Sequence, residues 1–248
     1  MKYLEDKSIL RLDNLFFSVM AGVILVSVFV GFAPSYYLAG VFKGPPLPNV
    51  LVHIHGAVFT LWILLLFVQI SLVSAGRMSV HRRLGMAGFG LACLVVVLGV
   101  LVATENLVKN YPSTPSGQVE FRAFYAVTLS DMLMFGTLIY FSFRSRFNPA
   151  AHKRLILIAT LAILDAAFDR WKIPVPWWDD RVTPLLCTFP LLLLLMTYDW
   201  WSTGKVQRVT LSATLFLVVV QQGRNLVGYT AAWQSFAAWV YTHASIFH

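Results

Sequence analysis

The sequence predicts an all-α fold, a polytopic transmembrane helical bundle of about seven helices. Composition, the length of the apolar runs and the placement of the basic residues all lead to this prediction. Of the 248 residues, 58% are hydrophobic and 12% are charged. Soluble domains carry about 25% charged residues, so this chain has too few charges to cover a water-facing surface. We therefore expect a single integral membrane domain over residues 1–248.

The first predicted span covers residues 15–34 and follows the polar start MKYLEDKSILRLDN. Its apolar run is long for a signal peptide, and no small-residue cleavage site follows it. We therefore expect this segment to be retained as the first transmembrane helix.

Six further apolar segments approach or exceed the roughly 20 residues that a spanning helix needs. They lie at 50–74, 84–104, 121–143, 152–168, 183–198 and 208–228. Pro190 predicts a kink in the sixth span. After the seventh span, residues 230–243 place Trp233, Phe236 and Val240 at helical spacing, which predicts an aromatic helix on the outer membrane interface.

The basic residues predict the orientation of the bundle. Cytoplasmic loops of membrane proteins are enriched in lysine and arginine. With the N-terminus inside and the C-terminus outside, most of the 19 basic residues fall in inner segments. These are Lys2, Lys7, Arg11, Arg77, Arg82, Arg83, Arg144, Arg146, Lys153, Arg154, Lys205 and Arg208. The net charge of +8 is thus expected to reflect topology in a bacterial inner membrane, among lipid partners, and no nucleic-acid partner is expected.

Ionisable residues inside spans are costly and are usually paired or functional. His53 and His55 lie near the outer end of the second span, on opposite sides of the helix. Asp165 and Asp169 share one face near the outer end of the fifth span. Two carboxylates there repel unless they are protonated, metal-bound or matched by a cation.

Gln221 and Arg224 interrupt the seventh span in its outer half, at the depth of the two aspartates. These polar groups predict one site, either metal-bound or a metal-free acid–base site. As metal ligands, for zinc, iron or manganese, we expect His53, His55, Asp165 and Asp169. As catalytic groups we expect Asp165, Asp169, Arg224 and Gln221, with Arg224 clamping an anion or a carboxylate. The structural alternative is an ion pair between the fifth and seventh spans.

At the inner ends of the third and fifth spans, the sequence repeats a His-basic-Arg-Leu pattern from His81 and from His152. These helix N-termini either anchor the chain at the interface or bind an anion such as lipid phosphate. Alternatively, His81 and His152 face each other and ligate a haem b axially. Asp131, in the middle of the fourth span, has no predicted partner apart from a polar path to Gln69.

The runs HIHGAVFTLWILLLFVQISLVSAGRMSVHRRLG, NPAAHKRLILIAT, YDWWSTGKV and QQGRNLVGYTAAW resemble those of a family of uncharacterised bacterial multi-spanning membrane proteins. This resemblance implies the bundle architecture and carries no reaction. The His-Gly helix followed by His-Arg-x-Leu-Gly is also similar, more faintly, to diheme cytochrome b561-type bundles. The sequence departs from that pattern because four histidines do not form two mid-helix pairs.

Three functions therefore stay open at the level of sequence. The first is an enzyme or binder of a lipid-like or isoprenoid molecule with its site toward the outer leaflet. The second is electron transfer through a b-type haem. The third is a non-catalytic subunit of a homo-oligomer or of a larger membrane complex, in which the polar groups join helices.

Overall fold

The computed structural model of the protein describes residues 2–44, 49–171 and 184–244. The fold is all-α, as the sequence predicts. Its helices are α1 (Lys2–Phe32), α2 (Val50–Ser74), α3 (Met78–Lys109), α4 (Pro115–Arg144), α5 (Pro149–Ala162), α6 (Asp165–Phe168), α7 (Phe189–Thr203), α8 (Arg208–Gly228) and α9 (Ala231–Ala244). Short π-helical turns extend α1 through Ala33–Tyr37 and precede α7 at Pro184–Thr188.

Four of the helices in the described ranges are long and apolar enough to cross a membrane. They cover Arg11–Tyr37, Val50–Ser74, Met78–Lys109 and Pro115–Arg144. Large apolar side chains remain exposed on the outer faces of the helices, as on a surface that contacts lipid; Val26, Leu133 and Val219 are examples. These features are compatible with an integral membrane protein.

Helix boundaries extend beyond the apolar runs where polar residues continue or cap a helix. The helices α2 and α8 have the predicted limits, whereas α3 begins at Met78 and ends at Lys109. Hydropathy reports only the apolar stretch, but a helix continues until its terminal N–H and C=O groups find other partners. Asn49, for example, caps α2 by accepting a hydrogen bond from Val52 N at 3.0 Å.

The fifth predicted span, 152–168, is divided in the structure. The helix α5 ends at Ala162, and the single-turn α6 starts at Asp165. At the junction, the backbone N–H of Leu164 bonds to Leu161 O at 3.1 Å, a tighter spacing than that of an α-helix. Residue 183, which starts the sixth predicted span, lies outside the described residues.

The helix α4 holds the centre of the bundle and packs against α3, α5, α8 and α9. Phe135 of α4 is fully buried and meets Trp62 of α2 edge-on, with ring centroids 5.1 Å apart. At the edge of the bundle, α1 approaches α6 so closely that a Cβ on Gly31 would overlap the carbonyl group of Ala167. These contacts bring α4, α6 and α8 together around the polar residues described next.

Candidate functional site

A buried ion cluster joins α4, α6 and α8. Arg224 Nη1 of α8 lies 2.5 Å from Asp131 Oδ1 of α4. Arg224 Nη2 lies 3.9 Å from Asp165 Oδ2 of α6. One guanidinium group is therefore shared by two carboxylates that belong to different helices.

Asp165 has further partners that fix its side chain. Gln221 Nε2 donates to Asp165 Oδ2 at 2.7 Å, and the Thr188 hydroxyl donates to Asp165 Oδ1. Because α6 begins at Asp165, the break after α5 directs this carboxylate toward α8 and toward the turn before α7. We call Asp131, Asp165, Thr188, Gln221 and Arg224 the outer cluster.

The outer cluster is enclosed on all sides except at Asp131. The side chain of Asp131 is 18% exposed, whereas that of Arg224 is 8% exposed, and Gln221 and Thr188 are buried. Two buried atoms of the cluster, Gln221 Oε1 and Arg224 Nε, have no hydrogen-bond partner among the described residues. A buried polar atom without a partner costs about 1–3 kcal/mol, so these atoms are available to a polar ligand.

Asp169, predicted to act beside Asp165, lies on the exposed side one turn further on. Its charge acts on both Asp131 and Asp165. The sequence placed Asp165, Gln221 and Arg224 at one depth, and the structure brings these three side chains together. Asp131 was missed as a partner. Its only signal in the sequence was a charge in the middle of an apolar helix.

The two histidines of α2 point apart, as residues two apart on a helix do. The His53 ring lies 6.3 Å from Tyr36, near the end of α1. The His55 ring lies 4.2 Å from Phe59, and its Nδ1 is buried without a hydrogen-bond partner among the described residues. Within residues 2–44, 49–171 and 184–244, no three His, Cys, Asp or Glu side chains are grouped to hold a metal ion. The metal site of His53, His55, Asp165 and Asp169 stays a prediction.

The predicted pair of inner histidines does come together. The rings of His81 and His152 are 6.4 Å apart between centroids, with an interplanar angle of 82°. His152 Nδ1 lies 2.9 Å from the Ser142 hydroxyl and 3.0 Å from its carbonyl oxygen. The Gln69 amide, in the orientation that satisfies its neighbours, donates to His81 Nδ1 at 2.7 Å. Gln69, to which the sequence suggested a polar path from Asp131, therefore orients His81 instead. Asp131 contacts Arg224.

A second buried ion pair lies near the predicted inner surface. Arg154 Nε and Nη2 donate to Asp199 Oδ1 at 2.8 and 2.5 Å. The other oxygen of Asp199 accepts from Gln207 N at 3.2 Å and from the Thr210 hydroxyl at 2.5 Å. Arg154 Nη1 donates to Ala150 O at 2.9 Å. We call Arg154, Asp199, Gln207 and Thr210 the inner cluster.

The neighbouring Lys153 pairs with Asp13 of α1, which also accepts a hydrogen bond from the Tyr198 hydroxyl at 3.1 Å. Two of the basic residues predicted as interfacial anchors or anion ligands thus have carboxylate partners within the protein. The sequence placed these groups on the same side of the membrane but did not indicate that they pair.

No family model, no curated protein and no solved structure matches this chain. The family resemblance described above therefore rests on the sequence runs alone.

Proposed function

We propose that the protein spans a bacterial inner membrane with seven helices, N-terminus inside, and that the outer cluster binds the polar head of a lipid-like molecule and exchanges protons with it. The positive-inside distribution of lysine and arginine supports the topology. The arrangement of the outer cluster supports the site.

One observation carries the proposal: exposed apolar side chains share helix faces with Asp131, the most exposed of the charged side chains in the outer cluster. Asp131 is 18% exposed. Phe124, seven residues before Asp131, and Val227, three residues after Arg224, lie on the same helix faces as these charges and are 44% and 48% exposed. A molecule with an apolar tail along these two side chains would place its head group at the Asp131 carboxylate.

The charges of the cluster select the kind of head group. Arg224 is already shared by two carboxylates, so an anionic head such as a phosphate would add to an excess of negative charge. This geometry argues against the anion clamp expected for Arg224. A hydroxyl or an ammonium group can instead donate to Asp131 and to the unpartnered Gln221 Oε1.

The chemistry available to such a head group is acid–base chemistry. A carboxylate within hydrogen-bond reach of an ammonium group, or of a hydroxyl group as that hydroxyl reacts, can accept its proton and later return it. Asp131 would exchange the proton, Arg224 would stabilise the charged carboxylates, and Gln221 would orient the head group. Asp165, held by Thr188 and Gln221, would keep Arg224 in place.

Native mass spectrometry of detergent-purified protein, with analysis of its extracted lipids, tests the proposal. We expect a lipid with a neutral or cationic head on the wild type, and about tenfold less of it on Asp131→Asn, because one charge-assisted hydrogen bond is worth about 1.5–3 kcal/mol. Glu105→Gln is a matched control, since Glu105 contacts Asn49 and Lys109 outside the cluster. Identical lipid profiles in all three proteins would contradict the proposal.

Elemental analysis of the same samples tests the metal reading of His53, His55, Asp165 and Asp169. If the wild type contains stoichiometric zinc, iron or manganese and Asp165→Asn does not, a metal site would replace the proposed metal-free site. Stable co-purification of a larger assembly without a lipid would instead favour a non-catalytic subunit.

A second candidate function, electron transfer through a b-type haem, is favoured by the His81–His152 pair. The rings face each other at 6.4 Å, and the Nδ1 atoms are held by Gln69 and Ser142. His152 Nδ1 can donate to the Ser142 carbonyl, which fixes the ring and leaves Nε2 for a metal. His81 Nδ1 accepts from Gln69, so the proton of the neutral His81 ring lies on Nε2 and would have to leave before Nε2 could bind iron. Haem iron held by two histidines would supply one-electron chemistry.

An absorption spectrum of protein from haem-replete cells tests this candidate. A Soret band that shifts on reduction and is absent from His81→Ala and His152→Ala would support it. A colourless wild-type protein would rule it out.

A further inference from the structure

Counted over the described residues, the outer cluster carries one negative charge more than its partners balance. Asp131 and Asp165 share the single charge of Arg224. The next charged residues toward the end of α6 are Asp169 and Arg170, which interact with each other and cancel. An unbalanced charge at a buried site costs several kcal/mol, so a cation is needed at the cluster.

The hydrogen bonds of the cluster leave few oxygens for a metal cation. Both oxygens of Asp165 accept hydrogen bonds, from Thr188 and from Gln221, and Asp131 Oδ1 accepts from Arg224. Among the described contacts, Gln221 Oε1 and the second oxygen of Asp131 remain. Hard metal cations such as Ca²⁺ take six or more oxygen ligands, whereas a proton needs one.

We infer that the outer cluster binds one exchangeable proton on Asp131, and that Arg224 shifts from Asp131 toward Asp165 when this proton is taken up. Asp131 is the acceptor because its side chain reaches the surface, whereas Asp165 is enclosed and its charge is stabilised by two donors. This proton-binding site deepens the proposed function: Asp131 holds the proton while no head group is bound and releases it when a head group binds.

The step is a proton transfer without any redox change. An O–H bond forms at Asp131 and the charge of the cluster rises by one, to neutrality. Arg224 Nη1, 2.5 Å from Asp131 Oδ1, then loses its charged acceptor. Arg224 Nη2, which lies 3.9 Å from Asp165 Oδ2, can then move closer to Asp165. The ion pair of Arg224 thereby changes from one with α4 to one with α6.

The groups that face the cluster are few and each has a defined effect. Just after α6, Asp169 adds negative charge that acts on Asp131 and Asp165, and Arg170 interacts with Asp169. From the turn before α7, the Cys187 thiol interacts with Asp165 and Asp169, and Thr188 donates to Asp165. From α8, Gln221 and Arg224 complete the set.

Infrared difference spectroscopy against pH, on wild-type protein in liposomes, measures the proton directly. A buried protonated carboxyl group gives a C=O stretching band that shifts in D₂O. We expect this band at neutral pH and its loss at high pH. Asp131→Asn removes the titrating group, and Asp165→Asn removes the excess charge, so both variants are expected to lose the band. Glu105→Gln is expected to keep it.

Two outcomes would overturn the inference. The first is that the C=O band of a protonated carboxyl group is missing from the folded wild-type protein at every pH, or that this band persists in both aspartate variants. The other is a band that Na⁺ displaces at constant pH, which would assign the balancing charge to a metal cation. If Asp131→Asn does not fold, the Asp165→Asn spectrum alone decides. Because the liposomes are made without the co-purified lipid, the infrared test of the proton and the lipid test of the proposed function can fail independently.

Discussion

The part of the chain that the structure describes contains two buried arginine clusters, and they differ in the ratio of arginine to carboxylate. In the inner cluster, Arg154 meets one carboxylate, Asp199, and both oxygens of that carboxylate accept hydrogen bonds. In the outer cluster, Arg224 is shared by Asp131 and Asp165, and Arg224 Nε and Gln221 Oε1 have no partner within those same residues.

This difference separates a structural ion pair from a candidate site. A buried ion pair alone is weak support for function, because structural networks also contain such pairs. In the inner cluster, the charge of Arg154 balances that of Asp199, and both Asp199 oxygens already accept hydrogen bonds from described residues. A ligand would have to displace these contacts. The outer cluster has an excess charge and unused atoms, which are properties that a ligand or a proton can satisfy.

The largest expected effect is at the inner cluster. Asp199→Asn leaves Arg154 buried without a counter-charge, so we expect a loss of about 3–5 kcal/mol in the free energy of unfolding. Reversible unfolding in mixed detergent–SDS micelles, followed by tryptophan fluorescence, measures this loss. Asp13→Asn is the control, because the Lys153–Asp13 pair is partly exposed and is expected to contribute about 1 kcal/mol or less.

The outer cluster is expected to show a comparable loss only when both of its carboxylates are removed. The double variant Asp131→Asn/Asp165→Asn leaves Arg224 unpaired, and we expect a loss of about 3 kcal/mol. The same unfolding assay applies, with the two single variants as references. A double variant whose loss equals the sum of the single losses would show that the carboxylates do not share the arginine.

A smaller effect is expected where α1 supports α6. Gly31→Ala would place a methyl group against the Ala167 carbonyl, and we expect a loss of about 1–3 kcal/mol. Gly22→Ala, on the same helix with no atom within 4 Å of the added carbon, is expected to stabilise by about 0.5–1 kcal/mol. Equal effects at both positions would show that α1 and α6 are not in close contact.

The smallest effect is expected for one outer carboxylate. Asp165→Asn leaves Asp131 and Arg224 as a balanced pair, so we expect a change of about 1 kcal/mol or less near neutral pH. At higher pH, loss of the bound proton leaves excess charge in the wild type but not in the variant. The stability of Asp165→Asn relative to the wild type is therefore expected to increase with pH, and a difference that is constant with pH would count against the bound proton.

Much of the helical pattern could be predicted from apolar run lengths. The limits of α2 and α8 agree with the predicted spans 50–74 and 208–228, because polar residues closely flank both runs. The division between α5 and α6 could not be predicted, since the stretch from Leu161 to Phe168 is apolar apart from one aspartate. The break depends on the partners of that aspartate, Thr188 and Gln221, which are distant in sequence.

The candidate site could be predicted in part for a related reason. Depth in a span can be counted along the sequence, and this placed Asp165, Gln221 and Arg224 at one level. Which side chains meet also depends on how each helix is rotated and on which helices are neighbours. Neither is encoded in run length, so the contact of Asp131 with Arg224 and that of Arg154 with Asp199 were not foreseen.

The turn between α7 and α8 has a consequence for hydrogen exchange. Gly204 takes up a left-handed backbone conformation with φ +72°, and the chain then returns so that Gln207 N donates to the fully buried Asp199. An amide in a short surface turn normally exchanges rapidly with water, whereas one that is bonded to a buried carboxylate exchanges only when that contact opens. The Gln207 amide is therefore a local reporter of the inner cluster, and its exchange rate follows the opening of the Arg154–Asp199 pair without a mutation.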